Sequence, residues 1–179
     1  HVSVYADDIV VWIDSEATDD VSDIFQRILD TVEAWADSNH MTISIDKTCY
    51  TIFAAADSCR GDIPLVYKGQ PLKHEPHPRY LGVTLDPTLN LVKHHGIVMD
   101  RARSRLVPIR RLSNPKYNVG GKILRALFKA LVESVVFYAA AITLSTWTGD
   151  LLQELINFLA GAARIILGCP KRTFSEIVI

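Results

Sequence analysis

The sequence predicts an α+β fold: an antiparallel hairpin with one packed helix, then an all-helical region. Three observations carry this. Residues 2–13 alternate and then run apolar around a central pair of acids, the pattern of strand, tight turn, strand. Val21, Ile24, Phe25, Ile28, Leu29, Val32 and Trp35 recur at helical spacing. Beyond Asn90 the strand period gives way to helical periods for the rest of the chain.

The opening stretch organises the rest. Val2 and Val4 alternate with polar neighbours, and Ile9 to Ile13 is apolar and β-branched, so Asp7 and Asp8 fall at or beside the hairpin tip. Adjacent carboxylates in an apolar frame repel each other and resist burial. A divalent cation resolves the conflict, because carboxylate oxygens suit Mg²⁺. Small Ala6 leaves room for another backbone to come close.

The next helix takes Thr18 or Asp19 as its cap, with Asp19, Asp20 and Asp23 favouring its positive end. It is expected to pack on the hairpin sheet with Trp35 in the core. Met41, Ile43 and Ile45 alternate with polar residues and predict a strand, followed by Lys47-Thr48 and a second strand from Cys49 to Ala55. Ser58 to Pro64 is a loop, and Lys68-Gly69-Gln70 is a turn between short strands. Arg79 to Asp86 suits a strand in which Gly82 permits close backbone approach. Pro87 to Asn90 is a turn that marks a subdomain boundary.

Leu91 to Leu112 reads as a helix with Ile97, Val98, Ala102, Leu106 and Ile109 on its apolar face, and Pro108 should kink or split it. A third apolar helical face runs from Ile123 to Val135. Trp147-Thr148-Gly149 breaks the pattern before a last helix, Leu151 to Leu167, whose Ala160-Gly161-Ala162-Ala163 run allows close packing.

With 179 residues, 49% of them apolar, the chain has a core's worth of side chains for one domain or two small subdomains. No repeat or low-complexity run appears. Three irregularly spaced cysteines imply no disulfide framework and fit a reducing compartment. Cys59, His74 and His77 lack a second cysteine at ligand spacing, so zinc is not expected. The apolar run from Val135 to Leu144 is too short to span a membrane and reads as a buried helix. The chain opens on His1 with no signal peptide or other targeting signal, so the expected setting is intracellular, nucleus or cytoplasm, with no membrane partner.

Charge is unevenly spread. Residues 1–60 hold twelve acids against three bases, and residues 61–179 hold sixteen bases against eight acids. The second part is therefore the candidate for nucleic-acid contact. Arg101 and Arg105 lie one turn apart on one helix face, with Arg103, Arg110 and Arg111 beside them.

Several of these blocks, in this order, resemble the reverse transcriptases of non-LTR (LINE or jockey-like) retrotransposons. Tyr5-Ala6-Asp7-Asp8 between apolar strands is similar to the catalytic hairpin, and the helix bearing Trp35, the Lys47-Thr48 pair and the strand ending in Phe53 resemble the segment after it. Tyr80-Leu81-Gly82-Val83-Thr84-Leu85-Asp86, behind a Lys-Gly-Gln turn and a basic residue, resembles the primer grip. The basic helix looks like a polymerase thumb, and Gly168-Cys169-Pro170-Lys171-Arg172-Thr173 resembles a segment that follows it. Two positions depart from the family pattern. Ser44-Ile45-Asp46 stands where an Asn is usual, and Ala139 stands where a Gly is usual.

The resemblance implies a partial polymerase palm at residues 1–86, a thumb-like helical region at 87–146 and an incomplete helical extension at 147–179. It implies an RNA-directed DNA polymerase that transfers nucleotides with two metal ions, Mg²⁺ with Mn²⁺ as the alternative. Asp7 would be the principal metal ligand, Asp8 a lesser electrostatic aid and Lys47 the assistant to the leaving group. Tyr80, Leu81 and Gly82 would position the primer, and Arg101, Arg103, Arg105, Arg110 and Arg111 would contact phosphates. The implied partners are an RNA template, a DNA primer, deoxynucleotides and an upstream half of the polymerase that supplies the opposing carboxylate. The chain alone is expected to be inactive. A non-catalytic nucleic-acid-binding remnant of such an element is the second reading. A nucleotide cyclase, which also uses a carboxylate hairpin, ranks last because it has neither a basic thumb nor a Tyr-Leu-Gly segment.

Overall fold

The computed structural model describes residues 1–14, 19–54 and 63–170. The loop expected over Ser58 to Pro64, Cys59 within it, the Thr18 cap and the Lys171-Arg172-Thr173 part of the last motif lie wholly or largely outside the described residues. The architecture is α+β, with helices and small two-stranded sheets. The chain divides into two compact units, His1–Pro76 and His77–Ile179.

In the first unit, β1 (Val2–Tyr5) and β2 (Asp8–Val11) form an antiparallel hairpin. Helix α1 (Asp19–Ser38) follows. Then come β3 (Cys49–Tyr50), β4 (Val66–Tyr67), β5 (Gln70–Pro71) and β6 (Lys73–His74). β3 runs parallel to β6, and β4 pairs antiparallel with β5. The small core gathers Leu65, Tyr67 and Leu72 under Phe25 and Leu29 of α1. α1 packs chiefly on β4 rather than on the opening hairpin. The Gln26 side chain fixes this contact by donating to Val66 O at 2.8 Å and accepting from Val66 N at 3.0 Å, as a strand neighbour would.

Two expectations fail here for traceable reasons. Trp35 is 48% exposed, not core. The apolar arc of α1 is wider than the surface it packs on: Phe25, Leu29 and Ala36 turn inward, while Ile24 and Trp35 sit on its uncovered edge. Met41 to Ile45 is not a strand. Met41 N donates back to Ala36 O at 2.8 Å past His40 at φ 55°, which caps α1 in a left-handed turn. Ser44 O then accepts from Lys47 N and Thr48 N, closing a 3₁₀ turn over Ile45–Lys47. Backbone groups engaged in a cap and a turn are withdrawn from a ladder. The following strand is likewise short, Cys49–Tyr50 only.

In the second unit, β7 (Arg79–Tyr80) and β8 (Val83–Thr84) form a hairpin ahead of α2 (Val92–Leu112). α3 (Gly121–Phe128) widens into a π-helical turn over Lys129–Glu133 and closes as α4 (Ser134–Val136). α5 (Ala140–Thr146) and α6 (Gly149–Leu167) complete the described part. Met99, Ile109, Val132 and Val136 are fully buried at its centre. Each such side chain contributes about 1.5–3 kcal/mol by leaving water. His95 ties α2 to α6: its ring stands edge-on to Trp147 at 4.7 Å, and Nε2 lies 3.2 Å from Leu151 O. Ala160 and Ala162 are buried, as the small-residue run of α6 requires for close packing.

The expected boundaries shift accordingly. The division falls after Pro76, not after Asp86, because Val83 and Leu85 pack into the helical core. The turn at Pro87 to Asn90 is therefore internal to the second unit, held by Asp86 Oδ1, which accepts from Thr88 Oγ1 at 3.0 Å and Asn90 N at 3.1 Å. The residues from 147 onward form no separate extension, since Trp147, Leu155 and Ala162 share that same core. α2 is not split at Pro108, because Leu106 and Ile109 on either side are both buried in it. The Val135–Leu144 run is broken rather than one buried helix: Phe137 and Tyr138 are exposed, and the helices on either side turn 63°. No single described helix is long and apolar enough to cross a membrane.

Candidate functional site

The carboxylate pair belongs to a hairpin of minimal length. Tyr5 pairs with Asp8, so Ala6 and Asp7 alone make the turn, and Ala6 takes a positive φ of 52°. A two-residue hairpin loop matches strand twist only when at least its first residue enters that region. The strands are locked beyond the tip by the His1 amino group donating to Trp12 O at 2.9 Å and by stacking of the His1 and Trp12 rings at 5.4 Å. Asp7 and Asp8 are both exposed at the tip. Val2 and Val4 are 63% exposed, so the hairpin's apolar side chains are largely uncovered.

Two hard oxygen donors on one turn fit part of the shell of an ion such as Mg²⁺, which takes one or two carboxylates and fills the rest with water and phosphate oxygens. No third His, Cys, Asp or Glu converges with them among the described residues. Lys47 sits exposed at the end of the 3₁₀ turn, and among the described residues no ion pair joins it to either aspartate. Asp7 and Asp8 thus share the hairpin tip as sequence neighbours, and Lys47 is on a separate turn.

The primer-grip candidates differ from expectation in conformation. Tyr80 pairs with Val83, so Leu81 and Gly82 are not strand but a two-residue turn, at φ 44° and 83°. The same device recurs at Lys68-Gly69, at φ 48° and 74° between β4 and β5. Positive φ at both central residues is the type I′ arrangement that suits a tight hairpin. Tyr138, in the turn between α4 and α5, donates its hydroxyl to Leu81 O at 2.6 Å, and its ring occupies the space that a Cβ on Gly82 would need. The close approach expected at Gly82 is thus made by an aromatic ring.

The five arginines of α2 do not act alike. Arg101, Arg110 and Arg111 present exposed side chains. Arg103 is committed to Glu154 of α6 and to Asp100. Arg105 donates to Leu131 O at 3.1 Å, a carbonyl that lies in the π-helical turn, where the widened ladder leaves backbone oxygens open to other donors. His94, one turn from the buried Val98 and two turns from the exposed Arg101 on α2, is buried at 2% exposure. Thr84 N donates to its Nδ1 at 3.3 Å. Burial, then the charges of Arg101, Arg79 and His95, holds His94 below its ordinary pKa. In the sequence, the His94-His95 pair lacks partners at metal-ligand spacing. The signal that was available is that both histidines fall on the apolar side of a helix whose other face is basic.

Residues 1–85, which contain the carboxylate hairpin, match the model of the reverse transcriptase (RNA-dependent DNA polymerase) family. The curated relatives that the chain resembles are RNA-directed DNA polymerases of mobile elements. The chain is 28% identical over 141 residues, 77% of its length, to the RNA-directed DNA polymerase from mobile element jockey of Drosophila funebris. It is 26% identical over 171 residues, 94% of its length, to the probable RNA-directed DNA polymerase from transposon BS of Drosophila melanogaster. The chain spans 15% of the first relative and 18% of the second. No solved structure matches it. Reverse transcriptases use divalent metal ions and bind a nucleic-acid template and primer.

Proposed function

We propose that this chain is a segment of an RNA-directed DNA polymerase of a non-LTR retrotransposon and carries one wall of its metal site. The observation that supports this most is the two-residue turn that sets Asp7 and Asp8 side by side, exposed, at the tip of a hairpin inside the family match. The first unit is the later part of a palm. The second unit carries the primer grip on its β7–β8 turn and a thumb on α2.

Asp7 is the principal ligand and Asp8 the secondary one, with Mg²⁺ as the working ion and Mn²⁺ as its substitute. The ions supply charge neutralisation for the attacking and leaving oxygens. The chain's own contribution is to hold two carboxylates at a fixed tip and to offer Lys47 as a cation for the departing pyrophosphate. The hairpin's bare apolar side chains, with Ile24 and Trp35 of α1, are the surfaces that the remaining palm of a longer polymerase covers.

The test is primer extension on an RNA template with all four deoxynucleotides and Mg²⁺, using a longer polymerase that contains these residues. Asp7→Asn abolishes synthesis, and the 179-residue chain by itself extends nothing. Full Mg²⁺-dependent synthesis by the Asp7→Asn enzyme overturns the assignment. A second reading, a non-catalytic nucleic-acid-binding remnant, draws on the exposed Arg101, Arg110 and Arg111, which need no carboxylate partner to bind phosphates.

A further inference from the structure

The turn that closes α2 carries a motif that nucleotidyl transfer leaves unused. Arg110-Arg111-Leu112-Ser113 sets two guanidinium groups three and two positions ahead of a hydroxyl. A protein kinase with an acidic substrate groove reads this pattern, because its carboxylates pair with the two arginines and so bring the hydroxyl to the nucleotide. Ser104 has Arg101 at the same separation but lies in the middle of α2. Drawing Ser104 into a groove would pull Ala102 and Leu106 out of the core, where they are buried.

Ser113 stands at the helix end instead. It is the C-cap residue and partly exposed, and residues 114–118 beyond it are all exposed. Asn114 is already extended, at φ −64° and ψ 131°. Releasing Ser113 gives up the half-buried Leu112 and the hydrogen bonds of one terminal turn, where helices fray first. The Ser113 hydroxyl donates to Arg110 O at 2.8 Å, and among the described residues nothing donates to its oxygen, whose lone pairs stay available. Among the described residues no carboxylate pairs with Arg110, Arg111 or Lys116.

We propose that Ser113 is a phosphorylation site for a basophilic, ATP-dependent protein kinase, and that its phosphate silences the arginines at the end of α2. In the transfer, Ser113 Oγ attacks the γ-phosphorus of ATP. The Oγ–P bond forms as the bond to the bridging oxygen breaks, ADP leaves with that electron pair, and the hydroxyl proton passes to the kinase's base. The group adds a charge of about −2 at the negative end of α2. Arg110 lies one turn back on the same face, and Lys116 lies in the turn just ahead. Pairing with these cations answers a dianion that the helix end alone would repel. Guanidinium groups so engaged are no longer offered to nucleic-acid phosphates. The modification is independent of the polymerase reading, and its effect on nucleic acid rests on it.

The full 179-residue chain, folded by circular dichroism, is incubated with the catalytic subunit of a cyclic-AMP-dependent protein kinase, Mg²⁺ and γ-³²P-labelled ATP. The expected result is about one phosphate per chain, placed at Ser113 by tandem mass spectrometry. Ser113→Ala lowers incorporation about tenfold or more and Arg110→Ala about fivefold or more, while Ser104→Ala leaves it within about twofold. A twelve-base-pair RNA–DNA duplex is then titrated against modified and unmodified chain by fluorescence anisotropy at several salt concentrations. Phosphorylation weakens binding and flattens the slope of log K against log salt by about 0.7–0.9 for each arginine silenced.

No incorporation, or incorporation that Ser113→Ala does not reduce, overturns the site. Modification at Ser113 that leaves the slope unchanged, while Arg110→Ala in the unmodified chain flattens it, overturns the silencing. If Arg110→Ala leaves the slope unchanged as well, or the duplex does not bind, the nucleic-acid reading of the end of α2 falls and takes the silencing with it, and incorporation still decides Ser113.

Discussion

The hydroxyl of Tyr138 donates to the carbonyl of Leu81 at 2.6 Å, and the same ring lies where a side chain on Gly82 would go. One aromatic residue thereby clamps a two-residue turn from two sides. Gly82→Ala meets two obstacles. Its φ of 83° is unfavourable to any Cβ, and the new methyl would stand 2.9 Å from Cε1 of a ring that its own hydroxyl bond holds in place. The left-handed conformation costs about 1–2 kcal/mol and the overpacking a comparable amount, so Gly82→Ala lowers stability by about 2–4 kcal/mol. Tyr138→Phe keeps the ring and loses one hydrogen bond, and costs only about 1 kcal/mol. Urea denaturation of the three proteins checks the order.

Ala139 follows this clamp at φ 56°. The left-handed strain on alanine is about 1–2 kcal/mol, and the entropy that glycine loses on folding is about 0.5–1 kcal/mol. Ala139→Gly is therefore expected to stabilise the chain by about 0.5–1 kcal/mol, whereas Ala139→Val destabilises it. Thermal melts of the two variants against the parent decide this, and a lower melting temperature for Ala139→Gly would show that the turn is not strained.

The sequence made the hairpin legible because alternation, a two-residue gap and paired acids agree at every level, and the register of Tyr5 with Asp8 is what that agreement requires. It also gave the inner face of α2, since Val98, Ala102, Leu106 and Ile109 recur one turn apart and all are buried. It misread Met41 to Ile45 because alternation cannot show that Met41 N and Ser44 O are engaged in a cap and a turn. It misread Leu81-Gly82 as strand because two apolar neighbours outweighed the turn signal of the glycine. Trp35 was placed in the core because periodicity gives the apolar arc of a helix but not how much of that arc finds a neighbour. The contacts of His94 and Tyr138 were not legible because their partners lie on other elements, Thr84 for His94 and Leu81 for Tyr138.

The buried ring of His94 carries a pH signature. Its folded pKa lies below the ordinary 6.5, through burial first and then Arg101, Arg79 and His95. As pH falls through 6.5 the unfolded chain takes up this proton and the folded chain does not, so proton binding favours unfolding. The stabilising contribution is complete above pH 6.5 and is lost as pH descends toward the folded value. In phosphate-free buffer the urea midpoint is expected to fall between pH 7.5 and 5, and His94→Gln, which retains an acceptor for Thr84 N, should show a shallower fall. Identical pH slopes for the two proteins would remove His94 as the cause.

The arginines of α2 should separate into two groups when binding to an RNA–DNA duplex is measured against salt. Arg103 is held by Glu154 and Asp100, so its charge is already answered within the protein. Arg101, Arg110 and Arg111 are exposed, and among the described residues none has a carboxylate partner. A side chain that neutralises a phosphate releases a condensed counterion, and each such contact adds about 0.7–0.9 to the steepness of log K against log salt. Replacing Arg101, Arg110 or Arg111 by Ala should therefore flatten that slope by about this amount each and weaken binding regardless of sequence. Arg103→Ala should leave the slope unchanged and lower stability by no more than about 1 kcal/mol, since an exposed ion pair contributes little. Glu154→Gln supplies the converse. It releases Arg103 from Glu154, leaving Asp100 as its carboxylate neighbour, without removing any cation, so binding tightens and the slope steepens if that guanidinium can reach a phosphate. A slope that falls equally for all four arginine variants would mean that the ion pair with Glu154 opens on binding and that α2 meets the duplex with its whole basic face.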